Sequence, residues 1–392
     1  MTITSDLGAP APAPRPAIAT GHGDRRGSWL PTGAMITTRI MELRRRRGLM
    51  ASLILVNVGI PTIFLTIRLL LHAFDPSSYG PAGGYNVFTG LVAGVMYVFG
   101  FIVAATLGCT AGSIDLTEGM FRHLVVTGRS RLALYLARIP AGLAIVAPLV
   151  AIGFTVVCAV CVVAAPTRIN YGGASVPAGL TQTGFQTWAA DHPDQAICDL
   201  PYNQPITVNP PCGPGPGGGG PVRKGPAPAG GQPSSPAALQ AQAVQIAAHD
   251  YSGYKALFLY PSDSLMIKTG LWIELEAAIG LIVGLGLGSL LGQRTVAVIL
   301  MIVLEVILTP ILSRAHLPHL SNLQRSVVGL ATAHLEPGGL PLPFGGGGGG
   351  GGGGNPVNRI LSESTTVAVC VIIAWLVVWS VVGAWRMMTR DA

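Results

Sequence analysis

One carboxyl group in this sequence lies inside a long apolar run. Glu305 is the only ionisable residue of the stretch VAVILMIVLEVILTPIL. A charged side chain at the centre of a bilayer costs about 2.5–3.5 kcal/mol even on insertion scales, so such a group needs a partner, a proton or water. Two interpretations stay open. In the first, Glu305 has a structural role, either in an ion pair or as a neutral buried acid; in the second, it lines a substrate path. Glu274 and Glu276 lie near one end of another apolar run, where they can reach the interface.

Two cysteines could form a covalent bond. Cys198 and Cys212 lie in a long polar insert that we expect on the outer side of the membrane, where disulfides persist. A bridge between them is the favoured interpretation, and two free thiols in a mobile loop are the alternative. The other four cysteines lie in apolar runs, where cysteine is commonly a packing residue: Cys109, Cys158, Cys161 and Cys370.

Glycines recur every four residues in the stretch GLIVGLGLGSLLG. Gly280, Gly284 and Gly288 share one helix face, and Ser289 stands where a GxGxxG match would have its last glycine. Because the stretch is apolar, the spacing predicts close helix packing and not a nucleotide-binding loop. The tract Gly345–Gly354 is not followed by GK[ST], so the sequence has no Walker A motif.

The remaining chemistry-bearing residues do not form a known site pattern. His316, His319 and His334 lie near each other in sequence, but no cysteine or carboxylate cluster completes a metal-ligand spacing. No GxSxG motif marks a nucleophile. We therefore predict no metal, no bound cofactor and no catalytic residue, so the chain is not predicted to be an enzyme.

The composition is that of a membrane protein. Half of the residues are hydrophobic and a tenth are charged, whereas soluble domains carry about a quarter charged residues. The mean hydropathy is +0.54. The formal net charge of +7 comes with arginines that flank the apolar runs and with no nucleic-acid recognition motif. A lipid bilayer, and not nucleic acid, is therefore the predicted environment.

Six apolar runs approach or exceed the roughly 20 residues that cross a bilayer core. We predict an all-α polytopic membrane protein with six transmembrane helices. In the fifth and shortest run, Glu305 and Pro310 predict a tilt, a break or close pairing with the fourth. The predicted spans are residues 50–73, 88–111, 141–165, 270–291, 295–312 and 365–385.

Positive charges in the short flanks predict the orientation. Arginines 44–47 precede the first span, while residues 74–87 carry no Lys or Arg. Because Lys and Arg favour the cytoplasmic side, both termini are predicted to be cytoplasmic. The connection between the second and third spans falls on the same side and contains Arg122, Arg129, Arg131 and Arg138.

The predicted organisation has three parts. Residues 1–33 are rich in Pro, Ala and Gly and are predicted to be a disordered cytoplasmic tail. Residues 34–48 have apolar residues at helical spacing beside arginines, which predicts an amphipathic interfacial helix. Residues 49–392 form the transmembrane domain.

Two long connections fall on the predicted outer side. Residues 166–269 contain a Pro/Gly-rich stretch and are predicted to be a flexible insert, not a domain. Within them, Ser235 and Pro236 predict the start of a helix. The second connection, residues 313–364, contains the glycine tract and is predicted to be a flexible linker.

The stretch SIDLTEGMFRHLVVTGRSRLALYLAR, residues 113–138, is the most informative connection. Glu118 and Arg122 are four residues apart, which favours a helix with a charged pair. Residues 128–131 then form a break before a second helical run. A surface hairpin that meets anionic lipid is one interpretation. The mixture of acids, a turn and periodic apolar residues better suits docking against another protein.

This stretch resembles the permease subunit of ABC type-2 transporters. The likeness rests on an acidic residue, EGxxR, TGRSR and AR between spans two and three. MITTRIMELRRRR before the first span and LYPSDSLMIKTGLWIELEAAIG at the start of the fourth are also similar to actinobacterial members. The resemblance covers residues 35–165 and 255–313, and the long outer inserts depart from the family pattern.

The resemblance implies a function and a set of site residues. Residues 113–138 would be a coupling loop that fits a separate ATPase subunit, which binds ATP and Mg²⁺, while Glu42 and Arg44 flank the contact. A second permease copy or homologue would complete an exporter in the plasma membrane, the inner membrane of the cell. The implied coupling residues are Asp115, Glu118, Gly119, Arg122, Gly128 and Arg131.

Two other classes of function are weighed against transport. A membrane anchor or receptor would use its outer insert to bind a partner, but the composition of residues 200–236 does not predict a formed surface. A membrane-embedded lipid-modifying enzyme would need closely spaced aspartates at a membrane face, and the sequence has none there. Nothing in the sequence identifies the substrate.

Overall fold

The chain is described here by a computed structural model, which covers residues 30–75, 78–79, 81–117, 130–200, 235–256, 261–314, 321–337, 340 and 364–389. Six helices in this part are long and apolar enough to cross a membrane, which confirms the predicted all-α polytopic fold. Numbered in chain order, span 1 to span 6 are Arg47–Phe74, Tyr85–Ile114, Arg131–Val163, Asp263–Leu291, Arg294–Leu312 and Thr365–Thr389.

Most spans are longer than the apolar runs that predicted them. Span 4 begins at Asp263 because Ser262 caps it, accepting a hydrogen bond from the Leu265 N–H at 3.3 Å. It ends at Leu291, where Gly292 adopts a left-handed conformation with φ 68°. That conformation favours glycine and lets the chain turn directly into span 5 at Arg294.

Span 3 consists of two helical segments and begins well before the predicted residue 141. Arg131–Leu136 continues through Ala137 into Arg138–Val163. The helix α1, Gly33–Arg45, precedes span 1 and agrees in position with the predicted interfacial helix. Met35 of α1 packs on Ala133 and Leu134 of span 3, so this helix is attached to the bundle itself.

Spans 2 and 4 form the most extensive contact among the described helices. The Cα of Gly280 lies over the Phe101 backbone, Gly284 over Ala105, and Gly288 over Cys109. Both helices advance together along this contact, so they are parallel, as two even-numbered spans should be. From the other side, Gly108 lies against the Leu281 backbone and Gly112 against Leu285 and Ser289. The four-residue glycine spacing thus coincides with a contact of backbone on backbone.

Three spans contain a π-helical turn, and each turn carries a buried polar residue. Asn57, Tyr97 and Glu305 are 2%, 2% and 4% exposed. Single π-helical turns inside α-helices frequently occur at functional sites. The segments are Arg47–Ile54, Leu55–Gly59 (π) and Ile60–Phe74 in span 1; Tyr85–Leu91, Val92–Tyr97 (π) and Val98–Thr117 in span 2; Arg294–Ile302, Val303–Leu308 (π) and Thr309–Arg314 in span 5.

Between spans 3 and 4 lies a compact unit, which we call the hairpin unit. Its strands β1 and β2 pair antiparallel from Arg168↔Pro177 to Tyr171↔Ala174. The two residues between them, Gly172 and Gly173, have φ of 68° and 132°, which suits a two-residue turn with positive φ at both positions. Its elements are β1 Arg168–Tyr171, β2 Ala174–Pro177, α2 Gln182–Asp191, α3 Pro193–Cys198 and α4 Pro236–Ala256.

Stacked aromatic rings form the core of the hairpin unit. Phe185 is fully buried and stacks on Tyr254 with ring centroids 4.4 Å apart and on Trp188 at 5.8 Å. The Tyr254 hydroxyl donates to the Pro177 carbonyl at 2.8 Å, which connects α4 to the hairpin. Burial raises the pKa of Tyr171, and the neighbouring Asp250 raises it further.

The hairpin unit corrects the prediction of a flexible insert over residues 166–269. The Pro/Gly-rich composition that suggested flexibility belongs to residues 201–234, which lie outside the described residues. The flanking segments instead supply enough aromatic surface to form a core. The predicted helix start is confirmed, since α4 begins at Pro236 and the Ser235 hydroxyl accepts from the Ala238 N–H at 3.3 Å.

We expect Phe185→Ala to open the hairpin unit while the membrane bundle stays folded. Removing a buried phenylalanine costs about 3–5 kcal/mol, and this ring contacts both α4 and Trp188. Limited proteolysis of the purified chain should show new cleavage within residues 168–200 or 236–256. Tyr251→Phe is the control, because it removes only a 3.4 Å hydrogen bond to Leu180. Equal protease resistance of Phe185→Ala and the control would contradict a packed core.

The connection between spans 5 and 6 also contains folded structure. The helices α5, Ser321–Arg325, and α6, Val328–His334, follow span 5. Residues 328–333 of α6 are all buried, and Val328 and Ala331 belong to a core that includes Ala368 and Ile372 of span 6. The prediction of a flexible linker over residues 313–364 is therefore wrong for this part, while the glycine tract lies outside the described residues.

Candidate functional site

The ends of spans 2, 3 and 4 meet at the carbonyl of Gly112. The Arg138 guanidinium donates to this carbonyl at 3.2 Å, and the Ser289 hydroxyl donates to it at 3.4 Å. Arg138 is only 2% exposed, and Ser289 is fully buried. The residues that flank the predicted coupling loop are thus held against span 4, and we call this contact the Gly112 junction.

The structure describes only the edges of the predicted coupling loop. Asp115 lies in the last turns of span 2's helix, and Glu118, Gly119, Arg122 and Gly128 lie outside the described residues. Beyond the loop, Ser130 caps span 3 by accepting from the Ala133 N–H at 3.2 Å. Arg131 donates to the Met388 carbonyl at 3.1 Å, so it connects the start of span 3 to the end of span 6.

The two residues predicted to flank the coupling contact lie near the end of α1. Glu42 forms an ion pair with Arg39, whose guanidinium donates to its carboxylate at 2.6 Å. The Arg39 side chain is largely buried, as are Met35 and Leu43 of the same helix. Arg44 is exposed. The sequence indicated Glu42 and Arg44 but gave no signal for Arg39, which α1 turns toward the bundle.

Glu305 lies in a closed polar cluster. Its carboxyl group accepts from the Tyr97 hydroxyl at 3.4 Å and from the Thr309 hydroxyl at 3.5 Å. The Cα of Gly329 in α6 packs directly on the carboxyl oxygens, and a Cβ there would lie 2.6 Å from one of them. A side chain that is 4% exposed does not line an open path within a single chain. Of the interpretations left open by the sequence, this geometry favours a buried acid.

Glu276 belongs to the same cluster, although its sequence position suggested an interfacial residue. It is 2% exposed, it interacts electrostatically with Glu305, and the Thr332 side chain lies beside it. Trp272, one turn before Glu276, stacks on Tyr97 at 5.0 Å between ring centroids. The prediction that Glu276 reaches the membrane interface is therefore wrong: α6 covers this part of span 4.

The α6 helix closes the cluster from the side of the connection between spans 5 and 6. The Trp272 indole N–H donates to the Thr332 carbonyl at 2.9 Å, so span 4 holds α6 in place. Sequence reasoning did not find Tyr97 and Trp272, because apolar runs explain the stretches in which they lie, and it did not find Thr332, because residues 313–364 were predicted to be a flexible linker. The contact of α6 with Trp272 and Glu276 became visible only in the structure, because the sequence does not show that α6 packs on span 4. We call Tyr97, Trp272, Glu276, Glu305 and Thr332 the buried polar cluster.

Of the two cysteines of the predicted disulfide, the structure describes only Cys198. Cys198, at the end of α3, is disulfide-bonded. Cys212 lies outside the described residues. The four other cysteines of the chain are free thiols: Cys109, Cys158, Cys161 and Cys370.

The fold and these contacts define a multi-pass α-helical membrane protein with a folded unit between spans 3 and 4. Comparison with protein-family models, with curated proteins and with solved structures finds no match to this chain.

Proposed function

We propose that this chain is the membrane-spanning subunit of an ATP-driven transporter whose ATPase is a separate protein. The proposal starts from the resemblance of residues 113–138 to the coupling loop of ABC type-2 permeases. The Gly112 junction supports the proposal further. There, the end of span 2 contacts the first turns of span 3 and the end of span 4, so both helices that flank the loop are tied to span 4. A force applied to the loop would therefore reach three spans together.

Such coupling requires a rigid connection and not a special chemistry. Spans 2 and 4 contact each other backbone to backbone, so they would move as one body. Alternating access needs only rigid-body shifts of helical groups. The Arg131 contact with the Met388 carbonyl would extend the movement to span 6.

The transport path would lie between two copies of the chain. Within one chain the buried polar cluster is closed, while span 6 exposes large apolar side chains such as Val377, Val381 and Trp385 to lipid or to a partner. We propose a dimer or a heterodimer with a homologue, in the plasma membrane, with both termini in the cytoplasm and export as the direction. Direction and orientation rest on the resemblance and on the arginine distribution.

A membrane receptor or anchor is the second candidate, and the hairpin unit favours it. The argument against this function was that the outer insert would lack a formed surface. A disulfide-bonded unit with an aromatic core supplies such a surface. A receptor of this kind would not need an ATPase, which separates the two candidates experimentally.

We expect the double variant Glu118→Ala/Arg122→Ala to lose its ATPase subunit. The test is co-expression with an ATPase that has Walker motifs and is encoded beside this chain, followed by affinity purification of this chain. The wild-type chain should retain the ATPase, because in this proposal the coupling loop docks into the ATPase through the pair Glu118 and Arg122. The matched control is Arg168→Ala/Asp194→Ala, which removes one base and one acid from exposed positions of the hairpin unit.

The control double variant should retain the ATPase as the wild type does. Equal retention by the Glu118→Ala/Arg122→Ala variant would remove the coupling role from these residues. Absence of any ATPase from the wild-type preparation would favour the receptor.

A further inference from the structure

We propose that Glu276 and Glu305 bind one proton between them, and that this proton holds α6 in its docked position in the bundle. The inference concerns the buried polar cluster alone and does not depend on the transport function. It joins three observations: two neighbouring acids without a cationic partner among the described residues, a helix packed on both of them, and π-helical turns at Tyr97 and Glu305.

The two acids are buried together without a counter-charge. Both are less than 5% exposed, and neither forms an ion pair within the described part of the chain. Glu305 interacts with the Tyr97 and Thr309 hydroxyls. Glu276 interacts electrostatically with Glu305 and contacts the Thr332 side chain. Two carboxylates that share an apolar site cannot both stay ionised. A proton shared by the pair is the simplest way to remove the repulsion.

One carboxyl oxygen also needs a hydrogen. Glu276 Oε1 is buried and has no hydrogen-bond partner among the described residues. An ionised oxygen in that position would carry its full desolvation cost, whereas a protonated carboxyl group carries much less. Thr269, on the same face of span 4, is also fully buried, and its hydroxyl has no partner in the described part of the chain. The unpartnered oxygen of Glu276 is therefore the atom at which a bound proton would remove the desolvation cost.

Helix α6 covers both acids and would respond to their charge. Gly329 packs on the Glu305 carboxyl group, and Thr332 lies beside Glu276. The two acids lie on spans 4 and 5. The titratable group that faces both of them is Tyr97 of span 2. Beyond α6, Glu336 accepts from the Leu340 N–H at 2.8 Å and acts on Tyr85, so it belongs to a separate contact.

Loss of the proton would leave two negative charges under α6. Water could then reach the carboxylates only if α6 moved away from the bundle. Because the docked state holds one more proton than the undocked state, docking weakens as the pH rises. Tyr97 and Glu305 both lie in π-helical turns, which frequently occur at functional sites.

The first test is infrared spectroscopy of the wild-type chain in lipid nanodiscs, which requires no variant to fold. Protonated carboxyl groups absorb separately from carboxylates, and the band shifts in D₂O. We expect a protonated-carboxyl band at neutral pH that disappears at alkaline pH and is missing from Glu276→Gln/Glu305→Gln. Glu274, a half-buried acid of span 4, would contribute to the same band, so the comparison with the double variant is made with Glu274→Gln in both chains. A band that does not titrate, or that survives in the double variant, would overturn the proposal.

The second test measures the docking of α6 by amide hydrogen exchange over residues 328–334. At alkaline pH, exchange there should be about tenfold faster in the wild type than in Glu276→Gln/Glu305→Gln, whose neutral amides need no proton. At acidic pH the two should exchange alike. A sodium-dependent protection at fixed pH would instead assign the site to a metal cation and overturn the proton assignment, as would equal exchange at alkaline pH.

Discussion

Gly284→Val is expected to prevent the bundle from folding. The Cα of Gly284 packs on the Ala105 backbone, and a Cβ at this position would meet the Ala105 carbonyl. Backbone atoms cannot rotate aside as a side chain can, so spans 2 and 4 would have to separate. Overpacking a well-formed core costs about 3 kcal/mol at the upper end of its usual range. Fluorescence-detected size exclusion should show loss of the monodisperse peak.

Gly90→Val is the matched control for this substitution. Gly90 lies in span 2, and outside its chain neighbours and the backbone of its own helix no described atom lies within 4 Å of the position that a Cβ would take. The change of residue type and its effect on helix propensity are the same at both positions. Gly90→Val should therefore behave as the wild type. A folded Gly284→Val variant with wild-type thermal stability would contradict the contact between spans 2 and 4.

Trp272→Ala is expected to release α6 and to lower the melting temperature strongly. Trp272 is 4% exposed, stacks on Tyr97 and donates to the Thr332 carbonyl, so one side chain connects three elements. Replacing a buried tryptophan by alanine costs about 3–5 kcal/mol. Amide exchange over residues 328–334 should rise at every pH, in contrast to the pH-dependent change expected from the acids.

Two controls separate the roles of Trp272. Trp272→Phe keeps an aromatic ring for stacking but loses the hydrogen bond to Thr332 and part of the buried ring, so its loss of stability should be smaller than that of Trp272→Ala. Trp385→Ala removes a tryptophan that is 57% exposed on span 6 and should leave α6 protected. If Trp385→Ala and Trp272→Ala lower the melting temperature equally, Trp272 does not hold α6.

The sequence predicted the parts of the fold that long apolar runs determine. All six spans follow from runs of about 20 apolar residues, because a bilayer requires that length whatever the packing. The glycine repeat of span 4 predicted a packing face for the same reason, since only small residues allow two backbones to approach. Ser235 and Pro236 predicted the start of α4 from local capping alone.

Composition failed where a small core depends on a few residues. The Pro/Gly content of residues 166–269 predicted flexibility, yet Phe185, Trp188 and Tyr254 form a core that a composition average does not detect. A similar failure concerns α6, whose seven residues are too few to predict an inserted helix.

The buried polar cluster could not be predicted for a different reason. Glu276 lies near the start of an apolar run, and its burial depends on α6, which joins the bundle from a distant part of the chain. Glu305 was identifiable because a carboxyl group in an apolar run is costly anywhere. Its partner Tyr97 lies in span 2, far away in the sequence, so that contact could not be predicted without the packing of the spans.

The rate of ATP hydrolysis in reconstituted vesicles tests the proposed function most directly. A candidate ATPase with Walker motifs would be measured alone, with the wild-type chain and with Glu118→Ala/Arg122→Ala. We expect the wild-type chain to change the hydrolysis rate and the double variant to have no effect, while Arg168→Ala/Asp194→Ala acts as the wild type does. A hydrolysis rate that is the same with and without the wild-type chain would contradict an ATP-driven transporter subunit.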